Sequence, residues 1–213
     1  MARTTTCRLP RLDETRKVLV SLPVLSIIIA STRPGRAGFA IATWFNELAQ
    51  AHRSFEVQVV DLAELDLPLF NEPHQPVTRH YEFEHTKHWS AIVERSDAFV
   101  FVMPEYNHSY NAALKNALDY LYHEWRDKPV GLVSYGGGAL GARAIEAIKP
   151  VLTALQLVYA GELSISLARS PVRDDVFSND AQLDDRAARL LKELDFATAV
   201  WRRARLERTA RTD

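Results

Sequence analysis

Apolar positions along the chain fall into short, nearly unbroken runs separated by stretches with helical spacing. Val24 to Ala30, Glu56 to Asp61, Ala98 to Met103, Val130 to Ser134 and Leu157 to Ile165 are rich in β-branched and aliphatic residues and read as strands. Most of these runs are continuous rather than alternating, as in strands of a parallel sheet covered by helices on both faces. Helices are predicted over Ala40 to His52, Phe83 to Arg95, Ala112 to Trp125, Ala142 to Leu155 and Ala181 to Arg203. In the third of them, Leu114, Ala117, Leu118 and Leu121 stand at i, i+3, i+4 and i+7, which turns one face inward. Strand then helix, repeated along the chain, predicts a doubly wound α/β fold. Pro68, Asn71, Pro73 and Pro76 interrupt the pattern and predict an irregular, exposed connection.

A chain of 213 residues that is 47% hydrophobic can build one sizeable core. The domain is expected over residues 23–203, between an extension at 1–22 and a basic tail at 204–213. Arg3, Arg8, Arg11, Arg16 and Lys17 at one end, and Arg202, Arg203, Arg205, Arg208 and Arg211 at the other, read as solvated charge on mobile ends. A net charge of −1 argues against nucleic acid or an anionic membrane as a partner. No apolar stretch reaches the roughly 20 residues of a spanning helix. Val18 to Ala30 is broken by Ser21, Pro23 and Ser26, and its end is needed as the first strand rather than as a leader. The single Cys7 can form no intrachain disulfide and has no C-x-x-C partner, which suggests a reducing, cytoplasmic setting.

In an open parallel sheet, ligands collect outside the carboxyl ends of the strands. After the first strand comes ASTRPGRAGFA, Ala30 to Ala40, with small residues, the hydroxyls of Ser31 and Thr32, and the charges of Arg33 and Arg36. With a helix N-terminus behind it, this stretch suits one phosphate monoester; the alternative is an ordinary βα turn with surface arginines. It is neither a G-x-x-x-x-G-K-[ST] loop nor a G-x-G-x-x-G fingerprint. After the third strand, Pro104 is expected to stop the ladder and present Glu105, Tyr106 and Asn107 outward, with the Tyr106 ring available to an aromatic ligand. After the fourth comes SYGGGALGAR, Ser134 to Arg143. Its Gly136 to Gly138 call for positive φ, for close approach of a flat ligand, or simply for a generous turn.

Other chemistries fit less well. Gly131 lies three residues before Ser134, so the G-x-S-x-G elbow of serine hydrolases is absent. Glu105 has no second acid or base spaced to work with it. His85 and His88 share a helix face, but no H-E-x-x-H arrangement exists, and exposed histidines are the simpler reading of His74, His80, His85 and His88.

The segments IIIASTRPGRAGFAIATWF, MPEYNHSYNAALKNALDYL and KPVGLVSYGGGALGARA, in that order, resemble the NADPH-dependent FMN reductase family, flavodoxin-like proteins that include quinone and azo-dye reductases. The resemblance implies a five-stranded parallel sheet in the order 2-1-3-4-5 and a bound FMN reduced by NADPH, or by NADH. Ser31, Arg33 and Arg36, with the backbone at Gly38, Phe39 and Ala40, would hold the FMN phosphate. Pro104, Glu105, Tyr106 and Asn107 would border the isoalloxazine and ribityl, and Ser134, Tyr135, Gly136 and Gly137 would close the other edge. The chemistry would reside in FMN, with no catalytic side chain and no metal. The electrons would pass to a quinone, flavin or azo compound, in a homodimer or homotetramer. A flavin-binding electron carrier without efficient turnover is the alternative, against which the near balance of charge speaks.

Overall fold

The computed structural model describes residues 21–210, so that all but the last two residues of the expected extension at 1–22 lie outside the described residues. Five parallel strands form the sheet: β1 (Val24–Ile29), β2 (Glu56–Asp61), β3 (Ala98–Pro104), β4 (Pro129–Gly136) and β5 (Val158–Ser166), in the order β2-β1-β3-β4-β5. Helices α1 (Ala37–His52), α2 (Leu62–Leu65), α3 (Glu84–Arg95), α4 (Ala112–Asp119), α5 (Ala142–Ala154) and α6 (Ala181–Thr209) connect and flank them. A short antiparallel pair, β6 (Val172–Arg173) and β7 (Val176–Phe177), precedes α6.

The period of two along β3 sorts its side chains to the two faces. Val100 and Val102 enter a core with Ile41 and Phe45 of α1 and Leu190, Leu191 and Leu194 of α6. Phe99, Phe101 and Met103 enter the other core with Trp89 of α3, Leu118 of α4 and Ile145 of α5. Every residue of β1, β3 and β4 is buried, as their continuous apolar runs require. The edge strands β2 and β5 are only partly covered, and there Glu56, Tyr159 and Glu162 face solvent.

Three helix ends differ from expectation by three residues or more. Helix α1 begins at Ala37, not Ala40. Helix α4 ends at Asp119, and the segment to Trp125 closes in a separate 3₁₀ turn over His123–Trp125. Helix α6 runs past Arg203 to Thr209, so the expected 204–213 tail is helical over its first six residues. Two of its arginines are engaged: Arg205 donates to Asp97 Oδ1 and to the Asp127 carbonyl, both at 2.7 Å, and Arg208 pairs with Asp127 at 2.5 Å. Asp97 and Asp127 lie just before β3 and β4, so this clamp closes the amino end of the sheet, opposite the carboxyl ends of the strands.

Candidate functional site

The three loops singled out in the sequence meet at the carboxyl ends of β1, β3 and β4. Ser31, fully buried, shares a hydrogen bond of 3.1 Å with the Tyr106 hydroxyl and so joins the first loop to the second. Asn111, the N-cap residue of α4, donates through Nδ2 to the Ala30 carbonyl at 2.6 Å, pinning the same loop from below. The sequence offered no reason to single out Asn111, because its partner is a backbone atom 81 residues away.

Helix α1 aims its first turn at this loop. No side chain caps it and no acidic residue stands in its first turn, so the Ala37, Gly38 and Phe39 amides are free for an anion. Because the helix starts at Ala37, the Ala40 amide is the first to bond within it, which removes Ala40 from the expected donors. Arg33 is exposed on the loop. Arg36 turns away to pair with the buried carboxylate of Asp61 at the end of β2, which answers its charge within the chain.

Pro104 does not stop the ladder. It pairs with Tyr135 as the last residue of β3, and the Glu105 amide adds one further bond to the Tyr135 carbonyl at 2.9 Å. Tyr106 to Ser109 then form a tight turn with reciprocal backbone bonds of 2.9 and 3.0 Å. Asn107 and His108 both take positive φ, 49° and 69°, the signature of a type I′ turn. Glu105 is held at the N-terminus of α5, accepting from the Arg143 amide at 3.1 Å and from its guanidinium at 3.2 Å. A carboxylate held this way braces two loops against each other.

In the third loop the glycines divide into two kinds. Gly136 is packed, since a Cβ there would lie 3.1 Å from the Gly141 nitrogen and 3.3 Å from Glu105 Cβ. Gly137 and Gly138 face open space. None of the three has positive φ; that strain falls on Leu140 and Gly141 instead, and so the close-approach reading survives only for Gly137 and Gly138. Ser134 does not line the open site: its Oγ is buried under Gly141, where a Cβ would come within 2.4 Å of it.

Tyr135 also departs from its expected place at the ring edge. Its side chain lies in the core beneath α1, and its hydroxyl reaches the first turn of that helix. Burial pushes its phenol well above the usual tyrosine range, so it stays protonated. Four buried polar atoms at this end of the sheet lack a hydrogen-bond partner among the described residues: Arg36 Nε, Asn111 Oδ1, Ser134 Oγ and Tyr135 OH. Buried polar atoms of this kind call for a partner from outside the chain, water or ligand. On the other side of the first loop, a cleft of about 400 Å³ is lined by Thr32, Leu62, Asp66, Leu69, Ala112 and Asn116. No grouping of three or more His, Cys, Asp or Glu that could hold a metal ion stands among the described residues. His85 contacts Asn71 Oδ1 and the Tyr120 hydroxyl.

A family model described as NADPH-dependent FMN reductase matches residues 23–171. An NAD(P)H-dependent FMN reductase of Schizosaccharomyces pombe is 44% identical over 123 residues, which cover 57% of this chain and 62% of that protein. A quinone reductase of Pseudomonas putida is 29% identical over 185 residues, covering 83% of this chain and 93% of its own length. Among solved structures, the flavoenzyme NAD(P)H:(acceptor) oxidoreductase FerB of Paracoccus denitrificans shares the fold with a TM-score of 0.65 at 20% identity, over 82% of this chain and 98% of that one.

Proposed function

Because the chain belongs to the NADPH-dependent FMN reductase family, we propose that it is an FMN-dependent NAD(P)H oxidoreductase whose acceptor is a quinone, with free flavins and azo compounds as acceptors of the same kind. The observation that carries this reading is the uncapped first turn of α1 beside Ser31 and Arg33, joined through the Ser31–Tyr106 hydrogen bond to a platform with open space over Gly137 and Gly138. One end takes a phosphate and the other a flat ring, at a spacing built into adjacent strands.

When bound, FMN would supply the two-electron chemistry between NADPH or NADH and the acceptor. The chain's part is to bind and orient. Ser31, Arg33 and the free amides of α1 hold the phosphate, and Pro104 to Asn107 border the ring and ribityl. Gly137 and Gly138 let the ring reach the backbone, whose amides there are the donors assigned to its electron-rich edge. Glu105, fixed between Arg143 and the end of β3, keeps the last two loops in register and carries no proton in the reaction.

Leu69, 83% exposed, and the exposed Phe70 beside the cleft support a homodimer. Among the described residues no helix is long and apolar enough to cross a membrane. A reduced nicotinamide donor and a lone cysteine support a cytoplasmic setting.

An anaerobic spectrum of the purified chain, recorded before and after NADPH and again after a quinone, tests the proposal. A flavin band that bleaches and then recovers is expected. A flavin that stays oxidised with either nicotinamide would refute turnover and favour the electron-carrier reading, and failure to take up added FMN would refute both.

A further inference from the structure

Among the buried polar groups that the fold leaves without a partner is the Tyr135 hydroxyl. Tyr135 is only 4% exposed, and its OH makes no hydrogen bond of good geometry among the described residues, although the Ser31 hydroxyl is its neighbour. A buried phenol ordinarily finds one. The hydroxyl occupies the place where a side chain at Gly38 would stand: a Cβ there would be 2.7 Å from Tyr135 OH and 3.5 Å from Cζ. Gly38 needs no positive φ, so its lack of a side chain is explained by this approach and not by backbone strain. The approach brings an O–H donor up against the first turn of α1, whose amides are also uncapped.

Charge at this corner points the same way. Arg36 is engaged by Asp61, which leaves Arg33 as the remaining cation of the loop and shifts recognition toward neutral donors. Ser31 Oγ is shared with Tyr106. Amides and hydroxyls grouped at a helix N-terminus suit a phosphate monoester, and a protonated phenol is a donor to an anionic oxygen.

We propose that Tyr135 is a buried hydrogen-bond donor to the 5′-phosphate of the flavin, acting through the gap that Gly38 leaves in the first turn of α1. This rests on the FMN reading above. Tyr135 is then a residue that separates FMN from riboflavin, and its ring makes no contact with the reacting end of the cofactor.

The test uses the full-length chain freed of flavin, titrated with FMN and with riboflavin by fluorescence quenching. Loss of one donor to a charged acceptor lowers affinity roughly 10- to 100-fold. Tyr135→Phe is expected to weaken FMN by that factor and leave riboflavin within about twofold. Gly38→Ala, whose new methyl displaces the hydroxyl, is expected to show the same selective loss, so the inference survives poor folding of either variant. Equal weakening of both flavins by Tyr135→Phe would reduce Tyr135 to a packing role, and no change in either would remove its hydroxyl from the phosphate; both overturn the inference. A wild-type chain that binds FMN and riboflavin equally would overturn the phosphate site as a whole, whereas one that binds neither would overturn the flavin reading beneath it.

Discussion

Asp61 serves two masters. Its Oδ1 accepts from the Ala63 amide at 2.9 Å and caps α2, while its Oδ2 holds Arg36. The two side chains are 5% and 19% exposed, so the pair is largely withdrawn from water. Replacing Asp61 by Ala removes a helix cap, about 1 kcal/mol. It also removes a hydrogen bond between charged groups, about 1.5–3 kcal/mol, and leaves a mostly buried guanidinium unanswered. The sum, about 2.5–4 kcal/mol, corresponds to a Tm lower by roughly 5–15 °C for a chain of this size. Asp61→Asn keeps the capping oxygen and loses the charge, so its Tm falls about half as far. Flavin binding is expected to move the other way. Freed of its carboxylate, Arg36 adds positive charge beside the first turn of α1, so Asp61→Asn binds FMN more tightly than the wild type, with a steeper salt dependence and unchanged riboflavin binding. Thermal melts without flavin and FMN titrations at two ionic strengths measure both halves. Weaker FMN binding in Asp61→Asn would refute the reasoning, for it would mean that the ion pair shapes the loop for phosphate instead of competing for Arg36.

Arg33→Ala should cost more FMN affinity than Arg36→Ala in the same titration, because only Arg36 is already paired within the chain. Burial pulls the Lys128 ammonium down to about 8, while the unfolded chain keeps its lysines protonated to about 10.4. Unfolding therefore takes up a proton between those values, and stability rises with pH there at up to about 1.4 kcal/mol per unit; Lys128→Met should flatten that rise in urea midpoints taken from pH 8 to 10. Glu105→Gln should leave the pH profile of kcat in place, since the carboxylate braces loops and transfers no proton; a lost limb of the profile would contradict this. His108→Gly relieves a positive φ of 69° in the type I′ turn and should raise stability by about 0.5–1 kcal/mol, read from the urea midpoint.

Hydrophobic periodicity located the five strands of the sheet because burial on two faces leaves continuous apolar runs that polar loops interrupt. The site was legible only where neighbours in sequence form it. Ser31 and Arg33 stand on one loop, and Gly137 opens the next. What stayed hidden depends on pairings between elements. Nothing in STRPGR says that Arg36 will meet Asp61, because that contact follows from β2 lying beside β1. The destination of the Tyr135 hydroxyl follows from which face of β4 looks toward α1, a matter of register and not of composition. Likewise the arginines after Arg203 read as solvated charge, since Asp97 and Asp127 lie far upstream and meet them only once the sheet exists.

The clamp of α6 on Asp97 and Asp127 gives the molecule a division of labour along its strand axis. One rim holds the loops assigned to the flavin, including the non-glycine residues Asn107, His108 and Leu140 at positive φ, while the opposite rim is tied by Arg202, Arg205 and Arg208. Engineering can therefore treat the rims separately. A fusion or immobilisation handle near residue 210 would draw on the stability reserve of the chain and leave flavin access untouched, whereas trimming back to residue 203 to make room for it would loosen the rim on which β3 and β4 start.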